Sequence, residues 1–525
     1  MELVKKNIHF NRITKNARNQ ITLEEDVNIP DTKEDIESIL FHNQRVTIEE
    51  VKVGDQKVHI RGRLSYAILY RSEESGRRCS MEGSIPIEEK LYMEGIENSD
   101  KVTVKACIED FSAGIINSRK ISLQSILDLK AYVQELYDEQ ITTAVENEES
   151  EVLKKECEFT QLAVCKKDIF RFRENITIPN NMPNVEEVIW KNICVQEFEC
   201  KTLDGQLSIQ GKVLVFIIYE GERDSHHQTY QTTVPFNATL ECSGSNMNML
   251  SDISYDIVDS QVHLESDFDG EARSFGIEMV FELDINIYAT EKVATLWDLY
   301  GIQKELTPTT ENISYDVLSM NQNGNMKVAD TVRIPGMEEG NCRILYGEGD
   351  SILEKYEVTE EGIMVHGMLQ CQVLFEQGNE ENEYNSGQSM TPFSQLIEFP
   401  KDTNTNWKDI LNNLSCNIQL HCNLIQFAPA GEGEMEVRAN VDYGLLMFEK
   451  KMGRNITGVD VKEMDMEKCN NLPSMAIYFA KPGDSLWEMG KKYCVPIRQI
   501  REMNHISSED IKTGERVLIV RGAYS

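Results

Sequence analysis

The sequence predicts a mainly β protein: three repeated antiparallel, β-rich, sandwich-like domains followed by a small strand–helix–helix–strand domain. Three observations carry this. A glycine-centred segment with strand periodicity recurs three times. Prolines flank each copy at matching distances. From Ala476 onward the pattern changes to two short amphipathic helices between two apolar strands.

The repeated segments are Val58–Tyr70, Leu207–Tyr219 and Ile363–Phe375, which align without gaps. Apolar residues occupy alternate positions; in the first copy they are Val58, Ile60, Leu64, Tyr66, Ile68 and Tyr70. Period two with one apolar face is a half-buried strand. Gly62, Gly211 and Gly367 fall on that buried face, where a glycine marks a bend, a bulge or close approach of another backbone. Ile29-Pro30, Ile178-Pro179 and Ile334-Pro335 place their prolines 32 residues before each glycine. Pro86, Pro235 and Pro392 follow it by 24, 24 and 25 residues. Copies spaced by 149 and 156 residues are duplicated domains, not solenoid units.

Each copy continues through an alternating stretch, at 101–106, 261–264 and 417–424. Each closes on a strand-like run, at Ile121–Leu129, Ile277–Tyr288 and Val437–Phe448. Short half-buried strands separated by Gly and Pro predict an antiparallel sandwich, with the strand order left open. The domains are placed at 1–138, 150–295 and 310–450. Acidic Glu146–Glu151 and Thr-rich Leu306–Asn312 read as joins between copies. Polar 451–475, with neither period, reads as a linker to a last domain at 476–522.

In that last domain, Ile477–Ala480 is a strand and Lys481-Pro482-Gly483 a turn. Ser485 and Glu488 form a Ser-x-x-Glu capping box at a helix start. A second helix opens at Pro496 with an apolar stripe of Ile497, Ile500 and Met503. Asn504 reads as the left-handed stop, and Gly514 turns the chain into a closing strand, Arg516–Val520. Tyr478-Phe-Ala-Lys-Pro-Gly-Asp-Ser-Leu-Trp487, then Asn504, then Gly514 with Val517-Leu518-Ile519, resembles the LysM family closely. Gly490 and Cys494 depart from it, since the first helix of the family usually carries Ala. The expected core is Tyr478, Leu486, Trp487, Ile500, Met503 and Leu518. The resemblance implies a shallow groove for N-acetyl sugars at Gly483, Asp484, Ser485, Asn504, His505 and Ile506. Asp484 and Ser485 have a purely structural reading too, as helix caps.

Fifty-three basic and 88 acidic side chains give a net charge of −35. That surface repels nucleic acid and anionic lipid, so no nucleic-acid partner and no direct membrane insertion are expected. Residues 476–525 differ, with eight Lys or Arg against six Asp or Glu, a balance of +2. No apolar run of about 18 residues occurs, and Met1–His9 has no apolar core of a secretory signal. Thirteen cysteines without a CxxC pair read as reduced, mostly buried thiols, Cys416 and Cys422 among them. A phosphate loop fails at Gly205–Val213, which has one residue too many between its glycines and no hydroxyl after Lys212. Adjacent His226 and His227 would point oppositely on a strand and lack further ligands. No nucleophile elbow occurs. The expectation is no catalytic residue, no metal, no cofactor and no enzyme.

The Ile-Pro step, the Gly-centred strand ending Ile-Leu-Tyr and the later Pro-Ile or Pro-Phe step resemble the SPOCS domain of spore-forming Firmicutes. Tandem SPOCS domains ending in one LysM resemble a family of clostridial spore-coat morphogenetic proteins. That resemblance implies a non-enzymatic adaptor of coat assembly in the mother-cell cytoplasm, at the forespore surface. Its partners would be the coat morphogenetic ATPase, met through the LysM domain, and other coat proteins. The alternative is LysM binding of peptidoglycan or another N-acetylglucosamine-containing glycan. A secreted wall hydrolase is disfavoured by the missing signal and motif, and a phage-tail component by the threefold repeat.

Overall fold

The structure, a computed structural model, describes residues 1–146, 150–222, 227–334, 337, 342–377, 384–400, 407–431, 433–464, 473–506 and 511–521. In the first repeat, β1 (Glu2–Asn28), β6 (Lys120–Glu146) and β5 (Val102–Asn117) form one antiparallel sheet in that order. The second sheet is the meander β2 (Ile36–Gly54), β3 (Lys57–Ser72), β4 (Arg78–Tyr92). The other repeats copy this. In the second, β7 (Ser150–Thr177), β12 (Ala272–Gly301) and β11 (Leu250–Ser266) face β8 (Val185–Leu203), β9 (Gln206–Gly221) and β10 (His227–Glu241). In the third, β13 (Lys304–Arg333), β18 (Glu434–Glu463) and β17 (Leu414–Gly431) face β14 (Cys342–Val358), β15 (Gly362–Gln377) and β16 (Tyr384–Glu398). A single helical turn, α1 (Trp407–Ile410), precedes β17. The fold is the expected mainly β one, and the sheet orders complete it.

The alternation in the sequence maps onto burial. Leu64, Tyr66, Ile68 and Tyr70 of β3 point into a sandwich core with Met81, Ile85 and Ile87 of β4 and Phe111, Ile121, Leu123 and Leu127 of the long sheet. Each repeat glycine faces a bulge on the neighbouring strand: the register slips between Ile48 and Glu50, Gln196 and Glu199, and Leu353 and Lys355. A Cβ on Gly62 would overlap the carbonyl oxygen of Thr47, and one on Gly211 would lie 2.5 Å from Phe236 Cζ. The bulge brings its backbone inward, and only glycine leaves room. Pro86, Pro235 and Pro392 lie on β4, β10 and β16, edge strands whose missing N–H breaks no ladder.

The expected join at 306–312 is strand and belongs to β13, and residues 451–463 belong to β18 rather than to a linker. The middle of the expected acidic join, residues 147–149, lies outside the described residues. The first two domain ends also move outward, because β6 runs to Glu146 and β12 to Gly301. Beyond each sandwich the first and last strands of the repeat continue as a two-stranded ribbon: β1 with β6, β7 with β12, β13 with β18. These ribbons pack on one another, so their polar, weakly alternating residues find cover that no single-domain pattern could signal. Thr142 N–H donates to Asn455 Oδ1 at 3.0 Å, and Asn455 Nδ2 donates to the Gln140 carbonyl at 2.7 Å, tying the first ribbon to the third. Leu318 N–H donates to Thr160 Oγ1 at 2.8 Å, tying the third to the second.

The same arrangement makes the three repeats one body with an approximate threefold axis. Phe10, Phe159 and Tyr315 occupy equivalent positions and meet in one cluster, with ring centroids 4.6–6.4 Å apart. A second cluster joins Leu40 and Phe41 to Ile189 and Trp190, and to Leu345 and Tyr346. Leu69, Ile218 and Leu374 complete it, again at equivalent positions. Both sets follow the 149- and 156-residue spacings, so the duplication builds a shared core as well as three separate ones.

Candidate functional site: the C-terminal module

β19 (Met475–Phe479) pairs antiparallel with β20 (Arg516–Val520), and α2 (Leu486–Tyr493) and α3 (Ile497–Asn504) pack on one face of that pair. α2 begins where Ser485 Oγ accepts the Glu488 N–H at 3.2 Å, one arm of the expected box. Asp484 closes the turn before it: its Oδ2 accepts the Lys481 N–H at 2.8 Å. That bond, with a second from the Tyr478 hydroxyl, holds the Asp484 carboxyl below its ordinary range. Gly483 has φ +89°, a left-handed conformation that suits glycine.

The core comprises Ala480, Leu486, Met489, Val495, Ile500, Val517 and Ile519, with Tyr478, Tyr493, Ile497 and Ile506 packed against it. Three expected core positions change. Met503 is 43% exposed, because the final turn of α3 carries it past the strand pair. Leu518 points to the opposite face from Val517 and Ile519, as strand alternation requires. Trp487 is buried against the repeat body and not within the module: its ring lies 5.0 Å from that of Tyr300. The left-handed residue after α3 is His505, at φ 55°, one position beyond the expected stop. Asn504 is the last helical residue. Its Nδ2 donates to the carbonyls of Ile500 and Leu518 at 2.8 and 2.7 Å, and its Oδ1 accepts the Leu518 N–H at 2.6 Å.

Of the six expected groove residues, Gly483 and His505 are exposed and the rest half-buried. Asp484, Ser485 and Asn504 are engaged by the module's own hydrogen bonds, and Ile506 by its core. The surface left for a ligand is therefore backbone-rich, set by two turns whose shapes these side chains fix. Residues 507–510, next along the chain, lie outside the described ones. Within the module, β19 also exposes Met475, Ile477 and Phe479 on its outer face.

Among the described residues no group of His, Cys, Asp or Glu is placed to hold a metal ion. His227 Nδ1 lies 3.1 Å from Arg78 Nη1, a contact between repeats, and His226 lies outside the described residues. Burial pushes the Cys416 and Cys422 thiols up, to about 11 and about 12, which suppresses thiolate reactivity. Among the described residues no helix is long and apolar enough to cross a membrane.

The family model described as "SipL, SPOCS domain" matches residues 35–116 and 184–265, and that of the LysM domain matches 478–520. The chain is therefore a multidomain protein of tandem SPOCS domains with a C-terminal LysM domain. That is the SipL-like architecture, built from two non-catalytic domain families. Both SPOCS matches begin just before or within the second strand of their repeat and end near the fifth, leaving out the ribbons. The third repeat lies outside the match yet has the same six strands in the same order. No curated protein and no solved structure matches the chain significantly.

Proposed function

We propose that this chain is a non-enzymatic adaptor of spore-coat assembly. Its LysM domain would dock onto the coat morphogenetic ATPase at the forespore surface, while the SPOCS body engages other coat proteins. The observation that carries this reading is the union of sporulation-type SPOCS domains and a LysM domain in one chain. The shallow groove that the LysM resemblance implies would suit it too, since turns held by Asp484, Ser485 and Asn504 leave backbone groups along which an extended segment of a partner could line up as well as a sugar. The mother-cell cytoplasm is the compartment this role requires. The test is a pull-down from sporulating cells with the full chain, with a chain ending at Pro473, and with His505→Asp. Aspartate tolerates the left-handed backbone at 505 and adds charge at the groove rim. Capture of the ATPase by the full chain alone is expected, and equal capture by the shortened chain refutes LysM docking.

The LysM match itself favours a second reading, binding of N-acetylglucosamine-containing glycan. Saturable micromolar binding of chitin oligomers by the full chain, weakened by His505→Asp and with no ATPase recovered, decides for it.

A further inference from the structure

Trp487 sits on the face of α2 turned away from the module's core, and that face is not free. It rests on the outer end of the second ribbon. Tyr300 and Asp298, in the last turn-ward residues of β12, are the receiving groups. Trp487 Nε1 donates to Asp298 Oδ2 at 2.9 Å, and Lys491 Nζ lies 2.6 and 2.8 Å from the two carboxylate oxygens. Tyr300 Oη donates to the Val495 carbonyl at 2.8 Å, and its ring meets that of Trp487 edge-on. Tyr300 and Trp487 are 4% and 8% exposed. A register slip between Leu296 and Asp298 re-aims the β12 side chains at this point. The Asp298 carboxyl is half-enclosed, which raises its pKa, but bonds from Lys491 and Trp487 outweigh that and hold it low.

Gly490 gives the strongest sign that the contact is built in. It lies mid-helix, where glycine disfavours the helix relative to the Ala that LysM helices usually carry. A Cβ there would overlap Tyr300 Oη and lie 3.0 Å from the Val495 carbonyl. The sequence thus weakens its own helix at a position where the body comes too close for a Cβ.

We infer that the α2 face formed by Trp487, Gly490 and Lys491 is a dedicated docking surface for the Asp298–Tyr300 segment of the same chain. It fixes the LysM domain on the end of the repeat body and displays the groove in a set orientation. Docking closes this helix face to outside partners and leaves Gly483 and His505 open. It stands independently of what the groove binds.

The test uses the full chain labelled with 5-fluorotryptophan. Its four tryptophans give four fluorine signals, and the Trp487 signal is identified by its loss in Trp487→Phe. A soluble gadolinium chelate reports exposure. In the unsubstituted chain Trp487 should be shielded like buried Trp190. Gly490→Ala, a helix-favouring change, should raise its relaxation several-fold while the Trp190, Trp297 and Trp407 signals stay put. Tyr300→Ala, made outside the module, should do the same. Gly490→Ala combined with Tyr300→Phe removes the overlapping hydroxyl and should restore shielding. A Trp487 already exposed in the unsubstituted chain overturns the inference. So does one that stays shielded in Tyr300→Ala, or a Gly490→Ala exposure that Tyr300→Phe fails to reverse.

Discussion

Glu348→Gln should stabilise this protein, slightly in mild acid and fully only when the solution is near neutral or above. Glu348 lies beside the threefold axis at the position equivalent to Asn43 and Asn192. Asn43 Nδ2 donates to Asn192 Oδ1, Asn192 Nδ2 donates to Glu348 Oε2 at 2.5 Å, and Tyr346 Oη donates to the same oxygen at 3.0 Å. Burial, then repulsion from Asp350, raise the carboxyl from its ordinary 4.5 to about 7. That displacement corresponds to about 3 kcal/mol at most against the ionised form. The sign follows from linkage. A carboxyl raised in the folded state costs nothing below pH 4.5, where both states are protonated. The cost grows between 4.5 and 7 and is complete above. Glutamine keeps the acceptor oxygen and cannot ionise. If residues 2–463 unfold as one unit, the unfolding entropy is about 1 kcal/mol per kelvin. The Tm gain is then about 3 °C at pH 8 and about 1 °C at pH 5. Scanning calorimetry of the full chain at both pH values reads this directly. A gain equal at the two pH values, or a loss at pH 8, refutes the account of the axis.

Three further outcomes follow from packing. Gly62→Ala meets a backbone oxygen that cannot move, while Gly211→Ala meets the tip of the Phe236 ring, so thermal denaturation should rank Gly62→Ala as the costlier, at about 1–3 kcal/mol. Phe41→Ala empties a site touching Trp190 and Tyr346 of the other two repeats and should cost about 3–5 kcal/mol, lowering a single unfolding transition rather than splitting off the first repeat. Asn504→Ala removes two bonds joining α3 to β20 and one within α3, and should cost about 1–3 kcal/mol, read as lost hydrogen-exchange protection at the Leu518 amide.

Much of this fold is legible in the sequence because strand alternation and glycine placement are local. Leu64, Ile68 and Tyr70 announce an inward face, and Gly62 announces the bulge beside it. The LysM helices are legible for the same reason, through Ser485 and the Ile497–Ile500 spacing. What the pattern hides is contact between units. Leu69 breaks the period-two rule of its own strand, as Ile218 and Leu374 do at equivalent positions. A single sandwich would leave those residues in water, so three coincident breaks are the mark of a shared core. Trp487 is the corresponding case in the module. An apolar residue in a short helix looks like module core until the neighbour that buries it is known, and Tyr300 is 187 positions away. Met503 and Leu518 fail differently, since one residue of drift in a helix or strand exchanges inside for outside.

Carrying three repeats on one chain allows what three identical subunits could not have. On a true threefold axis a glutamate at this position would bring three carboxylates together, and each would raise the others' pKa. Here Asn43 and Asn192 take two of the places, and Glu348 alone carries charge into the network. The joints between repeats diverge in the same way. Lys191 approaches Glu82 at 3.8 Å between the first and second, whereas His42 bonds Gln388 between the third and first. The three flanks of the body are therefore chemically distinct although their backbones correspond. Binding surfaces on such a body are not interchangeable, and a substitution on one flank should disturb one partner and spare the others. Lys191→Glu, which sets two like charges face to face at only one joint, is the direct test. It should weaken capture of a subset of the proteins that the full chain recovers. Uniform loss of all of them would mean that the flanks act as one surface.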